Sequence, residues 1–427
     1  MAELLEVNLK SPETNYGDYK KINSGVFHQL KTAAAKLKGK KVIHVNATPF
    51  GGGVAEILRS QVPFEQYLGI QSRWLVLRAP KQFFVITKKI HNLIQGKPGL
   101  LSADEKNFYL GVNQELSQRF QKILEKLNPD IVFIHDPQPL PLIQFLSPNC
   151  PVILRLHIDL SSPNPSIIEF LRPFIERYQS VILSSKDYLS ALRFLKKSLV
   201  KIIPPAIDPL TAKNCPMDKR TAALILEKLE INYLKPVIAQ VSRFDPWKDP
   251  LGVIKAYYIA KKEIENLQLV LAGFQLAKDD PEAAMVFKEV EKHAKGDPDI
   301  FLFSDPRQLG DVQNDIFINA LYTTSALIIQ KSIREGFGLT MTEAMWKGKA
   351  VIAGKTSGAL LQIKNNKNGV LVSSPEEAAG AIVRLIKNER LRERLGKAAR
   401  QSAKERFLMP KHVLSNIKEY QSLLNRA

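Results

Sequence analysis

Short, almost continuously apolar runs recur along the chain, each followed by a segment long enough for a helix. The first five are KVIHVNA (41–47), RWLVL (73–77), DIVFIHD (130–136), PVILRLHID (151–159) and SVILSS (180–185). They lack regular polar alternation, which is the pattern of parallel strands covered on both faces. A second series reads PVIAQVSRF (236–244), QLVLAGF (268–274), IFLFSD (300–305), ALIIQKS (326–332) and AVIAGK (350–355). The order predicts an α/β protein of two doubly wound, Rossmann-like parallel-sheet domains. The paired prolines Pro204 and Pro205 interrupt regular structure between the series, giving expected domains 1–205 and 206–407. In the last helix candidate, within 408–427, Val413, Ile417, Tyr420 and Leu424 share one stripe. That helix is expected to pack against a domain, and the first is a candidate.

Composition narrows the class. A chain of 427 residues exceeds what one core sustains, and 45% hydrophobic with 24% charged residues is ordinary for a globular protein. ALIIQ and KIIPPAI are strand-sized, far short of a membrane span of ~20 residues. The opening AELLEVNLKSPE has no basic start followed by an apolar run, so a cytoplasmic location is expected. Cys150 and Cys215 fit no metal-ligand spacing and read as reduced thiols, and no metal site is expected.

The net charge of +19 raises the question of a polyanion partner. Its distribution answers in part: +11 over residues 1–205, −1 over 206–350 and +9 over 351–427. The basic C-terminal run ERLRERLGKAARQSAKERF interleaves its signs in helical order, as a solvated helix face does. No recognised nucleic-acid module accompanies the charge, so nucleic acid is not an expected partner.

Candidate chemistry sits where strands end. KVIHVNATPFGGGVAEIL is a strand, a turn carrying Gly51, Gly52 and Gly53, and a helix start whose amides could face a phosphate. It lacks the Walker lysine and the dinucleotide fingerprint, so a purely structural turn explains it equally well. In QVSRFDPWKDPLGVI, Arg243 and Lys248 lie at a carboxyl edge of the second sheet, suiting a diphosphate leaving group, although an exposed basic loop would look the same. In QKSIREGFGLTMTEAMWKG, Gly336, Phe337, Gly338 and Leu339 lead from a strand into a helix. Glu335 stands before that helix and Glu343 within it, where the two carboxylates could bind two hydroxyl-bearing parts of one ligand. His157 and Asp159 end one first-domain strand, and His135, Asp136 and Gln138 end another. A lone histidine there is more often a packing residue, but both strand ends belong to the edge where ligands bind.

These motifs resemble the retaining GT-B glycosyltransferases of the large sucrose-synthase-like family. More narrowly, HVNATPFGGGVAE, HDPQPLPLI, LHIDLSSPN, PPAIDPL, QVSRFDPWKDP and QKSIREGFGLTMTEAMWKGKAVIAG resemble the trehalose glycosyltransferring synthases and retaining trehalose phosphorylases. The resemblance spans roughly residues 40–425. It implies two facing domains with a cleft between them, and interconversion of trehalose plus a nucleoside diphosphate with nucleoside-diphosphate-glucose plus glucose, with retention. It implies that Arg243 and Lys248 hold donor phosphates, Glu335 donor-sugar hydroxyls and Glu343 the ribose. Amides from Gly336 to Leu339 complete the donor site, His157 lies against the reacting sugar, and the loop Gly51–Gly53 closes near the phosphates. Asp136 and Gln138 are acceptor-glucose candidates.

The partners implied are small molecules: trehalose, glucose and a nucleotide-sugar such as UDP- or ADP-glucose. No tightly bound cofactor is implied; Mg2+ could stimulate only without a dedicated protein site, and a homodimer is compatible with the reading. The alternatives are a phosphorylase using inorganic phosphate and, more distantly, a basic nucleic-acid-binding or scaffold protein. One stretch departs from the family pattern: after AVIAG the usual Val-Gly-Gly-Ile-Pro-type turn is replaced by Lys355, Thr356, Ser357, Gly358, Ala359 and Leu360.

Overall fold

Apolar strands that repeat with intervening helices bury both sheet faces, and the computed structural model shows two such sheets. It describes residues 2–9, 14–274 and 281–426. The end of AELLEVNLKSPE and the last residue of the C-terminal helix candidate lie outside the described residues. The chain divides into two compact units, Met1–Ala206 with Met409–Ala427, and Ile207–Leu408.

The strands of the first unit are β1 (Glu3–Glu6), β2 (Lys41–Asn46), β3 (Gln71–Arg78), β4 (Ile131–His135), β5 (Val152–Leu156), β6 (Ser180–Leu183) and β7 (Val200–Ile202). Their order is β1-β3-β2-β4-β5-β6-β7. Only β1 is antiparallel, pairing Glu3 with Arg78 through Glu6 with Leu75. Every residue of β4 and β5 is buried, as a strand covered on both faces requires. After β2 the chain adds β3 on one side and then β4 on the other. A crevice at the carboxyl ends of β2 and β4 follows from that reversal.

The second unit contains β8 (Val237–Val241), β9 (Gln268–Ala272), β10 (Ile300–Phe303), β11 (Leu327–Gln330), β12 (Ala350–Gly354) and β13 (Val370–Val372). All pair in parallel, in the order β10-β9-β8-β11-β12-β13. This is the dinucleotide-fold order, and its switch point lies between β8 and β11. The sequence pattern did not predict β1, β7 or β13. Each has three or four residues and acquires its identity only by pairing with a longer neighbour.

The helix Met409–Leu424 belongs to the first unit. Val413, Ile417, Tyr420 and Leu423 are buried on it, while Leu424 is half-buried. Fully burying each aliphatic side chain is worth roughly 1.5–3 kcal/mol, enough to seat the helix firmly. Polar contacts fix its register: Gln421 Nε2 donates to the Ala33 carbonyl at 2.8 Å, and His412 Nδ1 lies 2.8 Å from the Pro204 carbonyl.

Candidate functional site

In the second unit the functional candidates collect at the switch point. Beyond β8, Asp245 caps the short 3-10 turn Pro246–Lys248, accepting from the Trp247 amide at 2.9 Å through Oδ1. Its Oδ2 lies 3.3 Å from Arg243 Nη2, so one carboxylate shapes the loop and orients the half-exposed guanidinium. The Lys248 carbonyl accepts from Gln240 Nε2 at 2.8 Å, and the Ile333 amide donates to the Trp247 carbonyl at 2.8 Å. The loops after β8 and β11 are thereby tied together. Lys248 Nζ donates to Glu335 Oε2, with the lysine side chain 20% and the glutamate 16% exposed. The ammonium group and the carboxylate therefore satisfy each other.

Gly338 brings the chain into the helix Leu339–Trp346 at φ 83°, a conformation that favours glycine. A Cβ there would stand 2.5 Å from Met341 Cε and 3.1 Å from Glu335 Cγ. The first-turn amides of this helix lack acceptors within it, and its dipole favours an anion at that end. The departing stretch Lys355–Leu360 supports the same loop. Thr356 caps the helix Ser357–Gln362, the Gly358 amide donates to the Glu335 carbonyl at 3.0 Å, and a Cβ on Gly358 would meet the Phe337 carbonyl oxygen at 2.5 Å. Gln362 Nε2 completes the brace by donating to the Phe337 carbonyl at 2.5 Å.

Glu343 lies within the helix Leu339–Trp346, with its carboxylate turned into the protein. Its side chain is 0% exposed, with Lys213 Nζ 2.6 Å from Oε1 and the Tyr322 hydroxyl donating to Oε2 at 3.0 Å. The carboxylate faces protein, so Glu335 alone of the two is open to solvent. Helical spacing could not reveal this, because Lys213 comes from a segment 130 residues earlier in the chain.

In the first unit the glycine loop follows β2, His135 ends β4, and Asp136 and Gln138 follow it, flanking that sheet's own switch point. Gly51 has φ 79°, Gly52 is extended and Gly53 opens the helix Gly53–Tyr67. All three are exposed, and a Cβ on Gly51 or Gly52 would meet nothing within 4 Å. Asp136, at φ 64°, donates its amide to the Arg155 carbonyl at 2.8 Å and accepts the His157 amide on Oδ1 at 2.7 Å. Burial raises its carboxyl to about 7, against the opposing pull of the His157 amide and Arg155. Gln138 is half-buried beside it. Asp159 instead accepts the Ser161 amide at 2.9 Å and lies buried in its own turn.

His157 follows β5 and is half-buried; its Nε2 lies 3.1 Å from His135 Nδ1. Burial, with Arg155 and His412 adding to it, holds the His157 imidazole well below the ordinary histidine range, so it is neutral at pH 7. His135 is depressed in the same direction, first by burial and then by His157 and His44. The sequence reading missed the groups behind these residues: His44, Glu65 and Arg155 in the first unit, Lys213 and Lys331 in the second. Lys331 follows β11 and pairs with Asp249, which holds φ 50° and caps the helix Pro250–Lys261. Its place directly after a strand was the one available signal.

Among the described residues no group of three or more His, Cys, Asp or Glu is arranged to hold a metal ion, and no helix is long and apolar enough to cross a membrane. Comparison with known proteins bears on both units. Residues 44–190 match the family described as trehalose synthase, N-terminal domain, and residues 223–402 match glycosyl transferases group 1. The chain is 40% identical to the trehalose synthase of Pyrococcus horikoshii over 410 residues, covering 96% of this chain and 95% of that protein. It is 29% identical to the trehalose phosphorylase of Pleurotus pulmonarius, covering 89% of this chain and 57% of that one. Its fold is similar to that of an α,α-trehalose 6-phosphate synthase from Burkholderia multivorans, with a TM-score of 0.71 at 13% identity, covering 91% of this chain and 98% of that one. Two Rossmann-like sheets, the family matches over both units and this extent of identity place the chain in the trehalose synthase family of GT-B glycosyltransferases.

Proposed function

We propose that the protein interconverts trehalose plus a nucleoside diphosphate with nucleoside-diphosphate-glucose plus glucose, retaining the anomeric configuration. The observation that carries this reading is the Lys248–Glu335 pair at the β8/β11 switch point, with Arg243 beside it and the helix start at Gly338 behind it. A diphosphate would draw Lys248 away from Glu335 and toward its own oxygens, freeing the carboxylate to accept hydroxyl protons from the glucosyl unit. One ligand thus satisfies both groups of a pair that the free protein closes on itself.

In the direction of trehalose formation, the bond between the anomeric carbon and the β-phosphate oxygen breaks as the acceptor hydroxyl approaches on the same face. The departing phosphate oxygen takes the acceptor's proton, so no enzyme nucleophile is needed. Arg243, Lys248 and the amides of Gly336–Leu339 balance the charge that grows on the phosphate. His157 and Asp136, with Gln138, supply polar contacts to the sugars.

A phosphorylase reading draws on one observation: Glu343, the ribose contact implied by the resemblance, is closed off by Lys213 and Tyr322. Inorganic phosphate would need no such contact. The deciding assay is glucose release from trehalose with phosphate alone and with ADP, UDP or GDP. Release only with a nucleoside diphosphate supports the synthase reaction; release with phosphate alone overturns it.

A further inference from the structure

The first unit contains a line of buried hydrogen-bonding groups that ends at His157. Glu65, on the helix Gly53–Tyr67, is 0% exposed. Its Oε1 accepts from Gln61 Nε2 at 2.8 Å and from the Tyr420 hydroxyl at 3.1 Å. Its Oε2 accepts from the Ser72 hydroxyl and lies 3.1 Å from His44 Nε2. His44 Nδ1 is 3.2 Å from His135 Nε2, and His135 Nδ1 is 3.1 Å from His157 Nε2. His44 and His135 are buried, so His157 is the member of the series that reaches solvent.

Such a chain can run in one of two directions, and the charges around it decide which. A carboxylate receiving three donors besides histidine is ionised; burial pushes the Glu65 carboxyl up, but His44, Ser72 and Gln61 outweigh this and hold it below its ordinary value. Arg155, buried on β5, already supplies a cation to the cluster, with its guanidinium 2.9 Å from the Ile203 carbonyl and 3.5 Å from His412 Nε2. An ionised Glu65 can only accept from His44 Nε2, which makes that nitrogen a hydrogen-bearing one. With neutral rings, His44 donates from Nε2 to Glu65 and must accept at Nδ1. His135 then donates from Nε2 and accepts at Nδ1, and His157 donates from Nε2.

We propose that Glu65, His44 and His135 are positioning residues that lock His157 into the Nε2–H tautomer, leaving its Nδ1 as a hydrogen-bond acceptor for a sugar hydroxyl. The proposal rests on the reading that His157 contacts the reacting sugar. Tyr420 gives the C-terminal helix a part in it, because that helix supplies one of the donors that keep Glu65 ionised.

The test is nitrogen-15 NMR of the histidine rings in the full-length protein at neutral pH, with signals assigned by single His variants. The expected wild-type spectrum shows His157 protonated at Nε2 and bare at Nδ1. The Glu65→Gln protein has an amide that either donates or accepts, so His157 should populate the other tautomer, and kcat/KM for trehalose should fall about tenfold or more. A His157 in the Nδ1–H or cationic form in the wild type overturns the proposal, and that measurement needs no variant to fold. So does a folded Glu65→Gln enzyme with unchanged tautomer and turnover. A His157→Ala enzyme of wild-type activity overturns the sugar-contact reading instead, even when the wild-type tautomer is the expected one.

Discussion

Replacing Lys248 with Ala separates catalysis from folding because of where the lysine stands. In the free protein its ammonium group meets Glu335, and both side chains retain some exposure, 20% and 16%. Solvent screens such a pair, so its loss should cost the fold no more than about 1 kcal/mol, and the backbone of the loop stays held by Gln240 and Asp245. In the proposed reaction the same charge faces a phosphate whose negative charge grows as the glycosidic bond breaks. A preorganised donor of this kind is typically worth about 3–4 kcal/mol, or 10²–10³ in kcat. The assay is steady-state release of glucose from trehalose with saturating nucleoside diphosphate, paired with urea denaturation of the same samples. A hundredfold fall in kcat with nearly unchanged stability is expected. Turnover within a few-fold of wild type would refute the reasoning and leave Lys248 as a partner of Glu335 only.

Four further outcomes follow from the geometry. Lys213→Met should destabilise the second unit by about 3 kcal/mol in urea denaturation, because it removes the ammonium group that lies 2.6 Å from the buried Glu343 carboxylate. Asp136, raised to about 7 chiefly by burial, keeps its proton in the folded state over a range where the unfolded chain, at about 3.8, has lost it. Stability from this group therefore falls as pH rises between those values; Asp136→Asn should flatten that segment of the Tm–pH profile, and an unchanged slope would contradict the assignment. Gly52→Val, placed in open space on extended backbone, should leave Tm unchanged while lowering kcat if the loop approaches phosphate; normal activity would remove the loop from the site. Gly358→Ala should lower Tm and nucleotide affinity together, since its Cβ would press the Phe337 carbonyl from 2.5 Å and overpacking costs about 1–3 kcal/mol.

The sequence by itself determined the two series of parallel strands, because a strand covered on both faces must be apolar almost throughout. It also placed Arg243, Lys248, Glu335 and the glycine turn at strand ends, since glycines and charges interrupt such runs where the chain leaves the sheet. The short strands β1, β7 and β13 were not legible, because three or four residues carry no period of their own and need a partner. Pairing decided the rest of the site. Glu335 and Glu343 look alike in sequence, with seven residues between them, yet one closes on Lys248 near solvent and the other meets Lys213 and Tyr322 inside the protein. His44 and Glu65 read as a strand residue and a helix residue without chemistry; the register of β2, β4 and β5 aligns His44 with His135 and His157, and the helix Gly53–Tyr67 brings Glu65 to His44. Local patterns record what each residue prefers, whereas a buried polar group is defined by partners from distant segments, which only the tertiary structure brings within hydrogen-bond reach.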